Sequence, residues 1–165
     1  MRKSILEKIS VLDNKNQELE KNIKERKKIE KILKKSEEKF RALYFNMIEG
    51  VALHQTIYNK KGEPVNYKII DINPQYEKIL NLKRKNVINQ LATKVYNTKD
   101  PPYLKKFTDV GETGIPYYFE TYFPPMNKHF FISIAQLVKG KWATIFFDIT
   151  SRKHVENALR ESEYF

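Results

Sequence analysis

Three histidines and no cysteine set the limits of the chemistry available to this 165-residue chain. Without cysteine there can be no disulfide, thiolate metal site or thiol nucleophile. His54, His129 and His154 each lack a second ligating side chain at the spacing metal sites use, so no metal site is expected. His54 and His129 fall in segments that read as strands, and both are expected on the strand surface. His154 falls on a helix, where a phosphoacceptor would sit. Such a histidine usually has an acidic neighbour at the next position and Pro five residues on, but Val155 and Leu159 stand there. Five glycines form no phosphate-cradling loop. No catalytic residue is identified, and the chain itself is read as not an enzyme. One polar group does occupy a telling position. Asp148 and Thr150 sit where a strand must become a helix, and short polar side chains there accept from free backbone N–H groups. Asp148 also lies four residues before Arg152, within reach of a charge-assisted contact.

The elements around these residues begin with a long helix. Residues 1–46 contain neither Gly nor Pro. Ile5, Ile9, Leu12, Asn16, Leu19 and Ile23 follow a heptad, with Ile9, Asn16 and Ile23 at a and Ile5, Leu12 and Leu19 at d. Ile at a with Leu at d favours two parallel strands, and one Asn at a fixes register at some cost in stability. These six residues are the predicted seam of a homodimer. The seam breaks at Arg26 and Glu30, and a second phase starts at Ile29, Leu33, Ser36, Phe40, Leu43 and Met47, three residues out of step, as in a stammer.

The second phase belongs to a repeat. Arg26 to Glu37 returns as Arg152 to Glu163, offset by 126 residues, with six of twelve positions identical. Self-similarity at a fixed period marks an array. The chain therefore reads as one module with two helical connectors, and the repeat puts the start of a further module at Glu163-Tyr164-Phe165.

Between the connectors, Gly50 is expected to end the first helix. Strands are predicted at 51–58 and 65–72, joined by the Asn59-Lys60-Lys61-Gly62-Glu63-Pro64 turn. A short helix follows Asn73-Pro74, helical turns fill 82–99, and a helix runs from Asp100-Pro101-Pro102 through Thr113. Strands at 116–123, 128–138 and 141–149 and a last helix complete an α+β order with an antiparallel sheet. The last strands are apolar on alternate residues of both faces, which predicts a sheet buried on both sides.

Bulk composition narrows the partners. Apolar residues make up 41% of the chain, enough for one cored domain. The stretch Phe130 to Val138 is too short to span a bilayer, and no signal peptide is read at Met1-Arg2-Lys3-Ser4-Ile5. The net charge is +11, of which +5 falls in residues 1–39. It is spread out and almost all Lys, which reads as a solvated surface, and no nucleic acid partner is expected.

Three motifs carry a family resemblance. Ser36-Glu37-Glu38-Lys39-Phe40-Arg41-Ala42-Leu43 resembles the incoming helix of a PAS domain. Asp71-Ile72-Asn73-Pro74-Gln75-Tyr76-Glu77-Lys78-Ile79-Leu80 is similar to that family's strand-to-helix element around a near-constant Asn. Phe147-Asp148-Ile149-Thr150-Ser151-Arg152-Lys153 resembles its exit motif. The coil before it resembles the signalling helices that join such domains to histidine kinases and diguanylate cyclases.

The resemblance implies a PAS-like five-stranded antiparallel sheet with short helices on one face, a coiled-coil helix at 1–35, the PAS domain at 36–150 and an exit connector at 151–165. It implies a cytoplasmic sensory module of a two-component type protein, with a downstream effector domain in the same polypeptide. A dimerising scaffold that binds a partner protein is the alternative. Ile70, Ile72, Tyr103, Phe107, Ile132, Ile134 and Phe146 would line an inner cavity, with Tyr67 and Ile69 facing outward. Trp142, Thr144 and Phe146 would face inward, and Ala143, Ile145 and Phe147 would meet the incoming helix. A small-molecule ligand is a candidate for the cavity. A flavin adduct needs a cysteine, and a haem ligand in this family commonly comes from the helix at 100–113, which has no His; both are disfavoured. Asp148, Thr150 and Arg152 become the predicted signal-coupling residues, since a displaced last strand would shift the helix they hold.

Overall fold

A computed structural model describes residues 2–163. Met1, Tyr164 and Phe165, at the outer ends of the expected first and third segments, lie outside the described residues, as does most of the expected join to a further module. The chain divides into two units, Met1–Leu43 and Tyr44–Phe165.

The first unit is helix. With no breaker in its sequence, α1 runs Arg2–Asn46 and so reaches into the second unit. The expected seam residues stand on its surface in the single chain: Ile9 is 48% exposed and Leu12 58%, with Ile5, Leu19 and Ile23 between them.

The second unit is a five-stranded antiparallel sheet in the order β2-β1-β5-β4-β3. The strands are β1 Gly50–Tyr58, β2 Pro64–Ile72, β3 Tyr117–Phe123, β4 Lys128–Val138 and β5 Lys141–Asp148. Four helices connect β2 to β3: α2 Pro74–Leu80, α3 Arg84–Val87, α4 Ala92–Val95 and α5 Leu104–Thr113. The exit helix α6 is Thr150–Glu163. The core lies between the sheet and α5, where Ile69, Ile72, Tyr67, Tyr76, Phe107, Ile134 and Trp142 are buried.

Four expectations need correction. Gly50 does not end the helix; α1 stops at Asn46 and Gly50 opens β1. Its place is fixed by packing, since a Cβ there would stand 2.4 Å from Phe146 Cζ. The helix expected from Asp100 begins at Leu104, after Tyr103 takes a left-handed φ of 55°. Each proline disfavours helical dihedrals in the residue before it, here Asp100 and Pro101.

The third correction concerns β2. Leu53 pairs with Asp71 but His54 pairs with Ile69, so Ile70 is an extra residue opposite β1. This β-bulge shifts the inward phase by one. Tyr67 and Ile69 therefore face inward, not outward, with 1% and 0% exposure, and Ile72 is buried beyond the bulge. Ile70 is only half-buried.

The fourth correction concerns the outer face, which is buried at Val51 but open along β5. Ile145 is 37% exposed and Phe147 40%. Phe147 stacks on its cross-strand partner Phe131 at 5.2 Å, and Phe131 stacks on Tyr118 at 5.8 Å. The strands are thus apolar on both sides because this sheet has one core face and one exposed aromatic face.

Candidate functional site

A cavity of about 50 Å³, open on one side, lies on the inner face of the sheet. Its walls come from β1 (His54), β2 (Tyr67), the α2–α5 connections (Leu80, Tyr96, Pro102, Tyr103), α5 (Phe107), β3 (Phe123), β4 (Phe130, Ile132) and β5 (Thr144, Phe146). Of the residues expected to line it, Tyr103, Phe107, Ile132 and Phe146 do so. Ile72 and Ile134 are buried in the core beside it, and Ile70 stands outside it at the bulge.

Seven of the twelve wall residues are Tyr or Phe, and each tyrosine hydroxyl has a hydrogen-bond partner. Tyr67 OH donates to the Pro102 carbonyl at 3.1 Å. Tyr103 OH pairs with Thr121 Oγ1 at 3.0 Å and Tyr96 OH with Tyr76 OH at 2.7 Å. Burial pushes the Tyr96 hydroxyl up to about 12.

His54 is the polar residue that sequence reasoning misplaced. Far from the strand surface, it is 2% exposed. Its Nε2 pairs with Thr144 Oγ1 across the β1–β5 ladder at 2.9 Å. Its ring lies over Trp142 at 5.6 Å, and the Tyr67 ring meets it edge-on at 5.2 Å. Desolvation lowers its pKa from 6.5 to about 3, so the imidazole is neutral across the physiological range. The signal was hidden because on β1 the outward set Val51, Leu53 and Ile57 is more apolar than the inward set Ala52, His54 and Thr56. His129, by contrast, is half-buried on β4 beside Tyr122.

Two polar knots hold the helices at the ends of the sheet. Asn73, the N-cap of α2, uses its whole side chain: Oδ1 accepts from Val51 N and Tyr76 N at 2.9 Å each. Its Nδ2 donates to the Tyr44 carbonyl at 3.2 Å and the Glu49 carbonyl at 2.9 Å. One buried amide thereby joins the last turn of α1, the linker, β1 and α2. Beside it Arg84 bridges Asp71 at 2.5 Å and the Ile72 carbonyl at 2.7 Å.

At the exit, Thr150 Oγ1 accepts from His129 N and Asp148 Oδ1 accepts from Thr150 N, both at 2.9 Å. Asp148 does not reach Arg152 as expected; its ion pair is with Lys128, at 3.0 Å. Burial pushes the Asp148 carboxyl up, and the hydrogen bonds from Thr150 and Lys128 together outweigh it, so its pKa is lowered. Arg152 turns instead to Glu120 of β3 and to Glu156, and Lys153 reaches Glu120 at 2.7 Å. Bonds from Lys153 and then Arg152 hold the Glu120 carboxyl below its ordinary value. A carboxylate among the aromatics of Tyr117–Phe123 was the available signal for Glu120. Among the described residues, no group of three or more His, Asp or Glu is placed to hold a metal, and no helix is long and apolar enough to cross a membrane.

No family model matches the chain. It is 26% identical over 160 residues to sporulation kinase E of Bacillus subtilis (strain 168), an alignment covering 93% of this chain and 20% of that protein. The chain thus spans about one fifth of the curated relative it matches. Among solved structures, a domain of the sensory box sensor histidine kinase/response regulator from Geobacter sulfurreducens matches with a TM-score of 0.50 at 17% identity, covering 70% of this chain and 96% of that one. The PAS domain of an HTR-like protein from Haloarcula marismortui gives 0.47 at 15% identity, over 74% and 99%. The PAS domain of Bordetella pertussis BvgS gives 0.43 at 13%, over 81% and 97%. The sheet β1 to β5 with the helices between its strands is the sensory-box, or PAS, fold, as the first structural likeness shows.

Proposed function

We propose that this PAS-fold chain is a sensory and signal-relay module of a larger cytoplasmic two-component signalling protein of the sensor kinase kind. In this reading it dimerises through Ile5, Ile9, Leu12, Asn16, Leu19 and Ile23 and passes a shift of the sheet to α6. One observation carries the reading. The sheet that walls the cavity on its inner face also grips the first turn of α6 through Thr150, Asp148 and Glu120. Occupying the cavity would move strands that hold the helix, and the output would be a bias between two helix packings. Glu120 joins Asp148, Thr150 and Arg152, the residues expected to couple the sheet to the helix.

The cavity works without flavin or haem in this reading. Although His54 lines it, about 50 Å³ is far below what either ring system fills. The scaffold alternative, a dimer that only binds a partner protein, draws on one feature, the exposed aromatic row Tyr118, Phe131 and Phe147.

Sedimentation equilibrium with hydrogen exchange on α6 tests the proposal. The chain is expected to be a dimer that Ile9→Asp with Ile23→Asp converts to a monomer. Glu120→Lys is expected to speed exchange in the first turn of α6 at least tenfold. A monomeric wild-type chain would remove the relay from the proposal, and unchanged exchange in Glu120→Lys would remove the clamp.

A further inference from the structure

We propose that residues 24–39 of α1 are a docking surface for an anionic phospholipid bilayer, held by a stripe of lysines along one side of the helix. Charge that is spread out along the sequence becomes one-sided once this stretch is helical.

Successive residues of an α-helix advance by about 100° around its axis. On that wheel all seven lysines of 24–39 fall within an arc of about 140°. Lys24, Lys28, Lys31 and Lys35 form its centre, within about 60° of one another. Lys27 and Lys34 lie along one margin and Lys39 along the other. Glu38 is the one acidic residue in the arc; Glu25, Glu30 and Glu37 fall outside it. Ile29, Ile32 and Leu33 fall outside it too, so helix pairing through them leaves the stripe open. Every residue of the stripe is exposed. Among the described residues none of its lysines enters an ion pair, whereas Glu37, off the stripe, meets Arg41 at 3.8 Å.

The occupant follows from what the stripe holds and what it lacks. A second copy of the same stripe would bring like charges together, which excludes it. Protein partners draw binding energy from buried aromatic and aliphatic anchors, and the arc contains none. It also has no Arg to fork onto phosphates or bases. From Lys24 to Lys39 the stripe extends for about 22 Å along the helix. A nucleic-acid duplex curves away from such a line, whereas a flat bilayer meets its whole length. An anionic bilayer attracts each lysine near its surface by diffuse charge and needs no apolar anchor; the gain is about fivefold in binding per lysine.

The test is co-sedimentation of the full chain with two kinds of vesicle, phosphatidylcholine alone and phosphatidylcholine with about one third phosphatidylglycerol. Binding to the anionic vesicles is expected, at least about tenfold weaker at ~300 mM salt than at ~50 mM. None is expected to phosphatidylcholine alone. Lys24→Gln, Lys28→Gln, Lys31→Gln and Lys35→Gln together should weaken anionic binding by at least about a hundredfold. Lys60→Gln, Lys61→Gln, Lys83→Gln and Lys85→Gln together remove the same charge from exposed positions of the second unit and should cost less than about threefold. Circular dichroism verifies that both variants keep their helix. No binding to the anionic vesicles, equal binding to both kinds, equal losses in the two variants, or tighter binding to a short DNA duplex at the same salt would each overturn the inference. The wild-type arms decide it even if a variant does not fold. A dimer with an intact α6 clamp that ignores anionic vesicles would sink this inference alone and leave the relay standing.

Discussion

Acidifying the protein below about pH 6.5 should weaken it first through one residue, His54. In the unfolded chain this imidazole titrates near its ordinary 6.5; in the fold, burial lowers it to about 3. Between those values the unfolded chain binds a proton that the folded chain refuses. Stability is therefore complete above about pH 6.5 and falls as pH drops below it, by about 1.4 kcal/mol per pH unit. From about pH 7.5 to pH 4.5 the loss amounts to about 3 kcal/mol, a large part of the roughly 5–15 kcal/mol that holds a domain together. His54 dominates the window. The Asp148 and Glu120 carboxyls lie below their ordinary values, so their contributions are present above those values and fade only at lower pH. Urea unfolding at the two pH values, followed by Trp142 fluorescence, measures the difference. His54→Phe with Thr144→Val should remove the slope while leaving stability near pH 7.5 within about 1.5 kcal/mol. Equal slopes in wild type and variant would refute the reasoning, as would an imidazolium signal from His54 at pH 4.5 in the folded protein.

Asn73→Ala leaves Val51 N, Tyr76 N and two carbonyls without their partner and should cost about 3 kcal/mol by chemical denaturation. Hydrogen exchange should then rise first around 44–51. Gly111→Ala brings a Cβ to 3.0 Å from Trp142 Cε3, so the ring must yield; a loss of about 1 kcal/mol with a changed Trp142 emission is expected. Asn16→Ile should raise dimer stability yet loosen register, visible as a higher melting temperature with mixed oligomers in native mass spectrometry.

Much of this fold could be read directly. The five strands and the Asn73-Pro74 helix start follow from local rules whose causes sit within a few residues. What could not be read depends on pairing. The bulge at Ile70 is invisible in a single strand, because a one-residue slip exchanges the faces of every residue beyond it. His54 was hidden for a related reason: its strand carries the more apolar set outward, so counting apolar residues points to the wrong face. Asp148, Thr150 and Arg152 were found by position at the strand–helix junction, but Glu120 lies 32 residues from Arg152 along the chain, and only the β3–β4–β5 order brings the two together. The cavity lining was legible where it came from α5 and the last two strands and illegible where it came from β1 and β2.

The extra residue in β2 gives this strand an unusual sensitivity to length. Ile72 enters the core and Asn73 reaches its four backbone partners only because Ile70 takes up one position without a counterpart on β1. Replacing Ile70 by another side chain changes a half-buried surface. Deleting it would turn Ile72 toward water and swing the Asn73 amide away from the end of α1. Any relative of this chain that keeps the same knot must keep the same count of residues between Tyr67 and Asn73, whatever their identities.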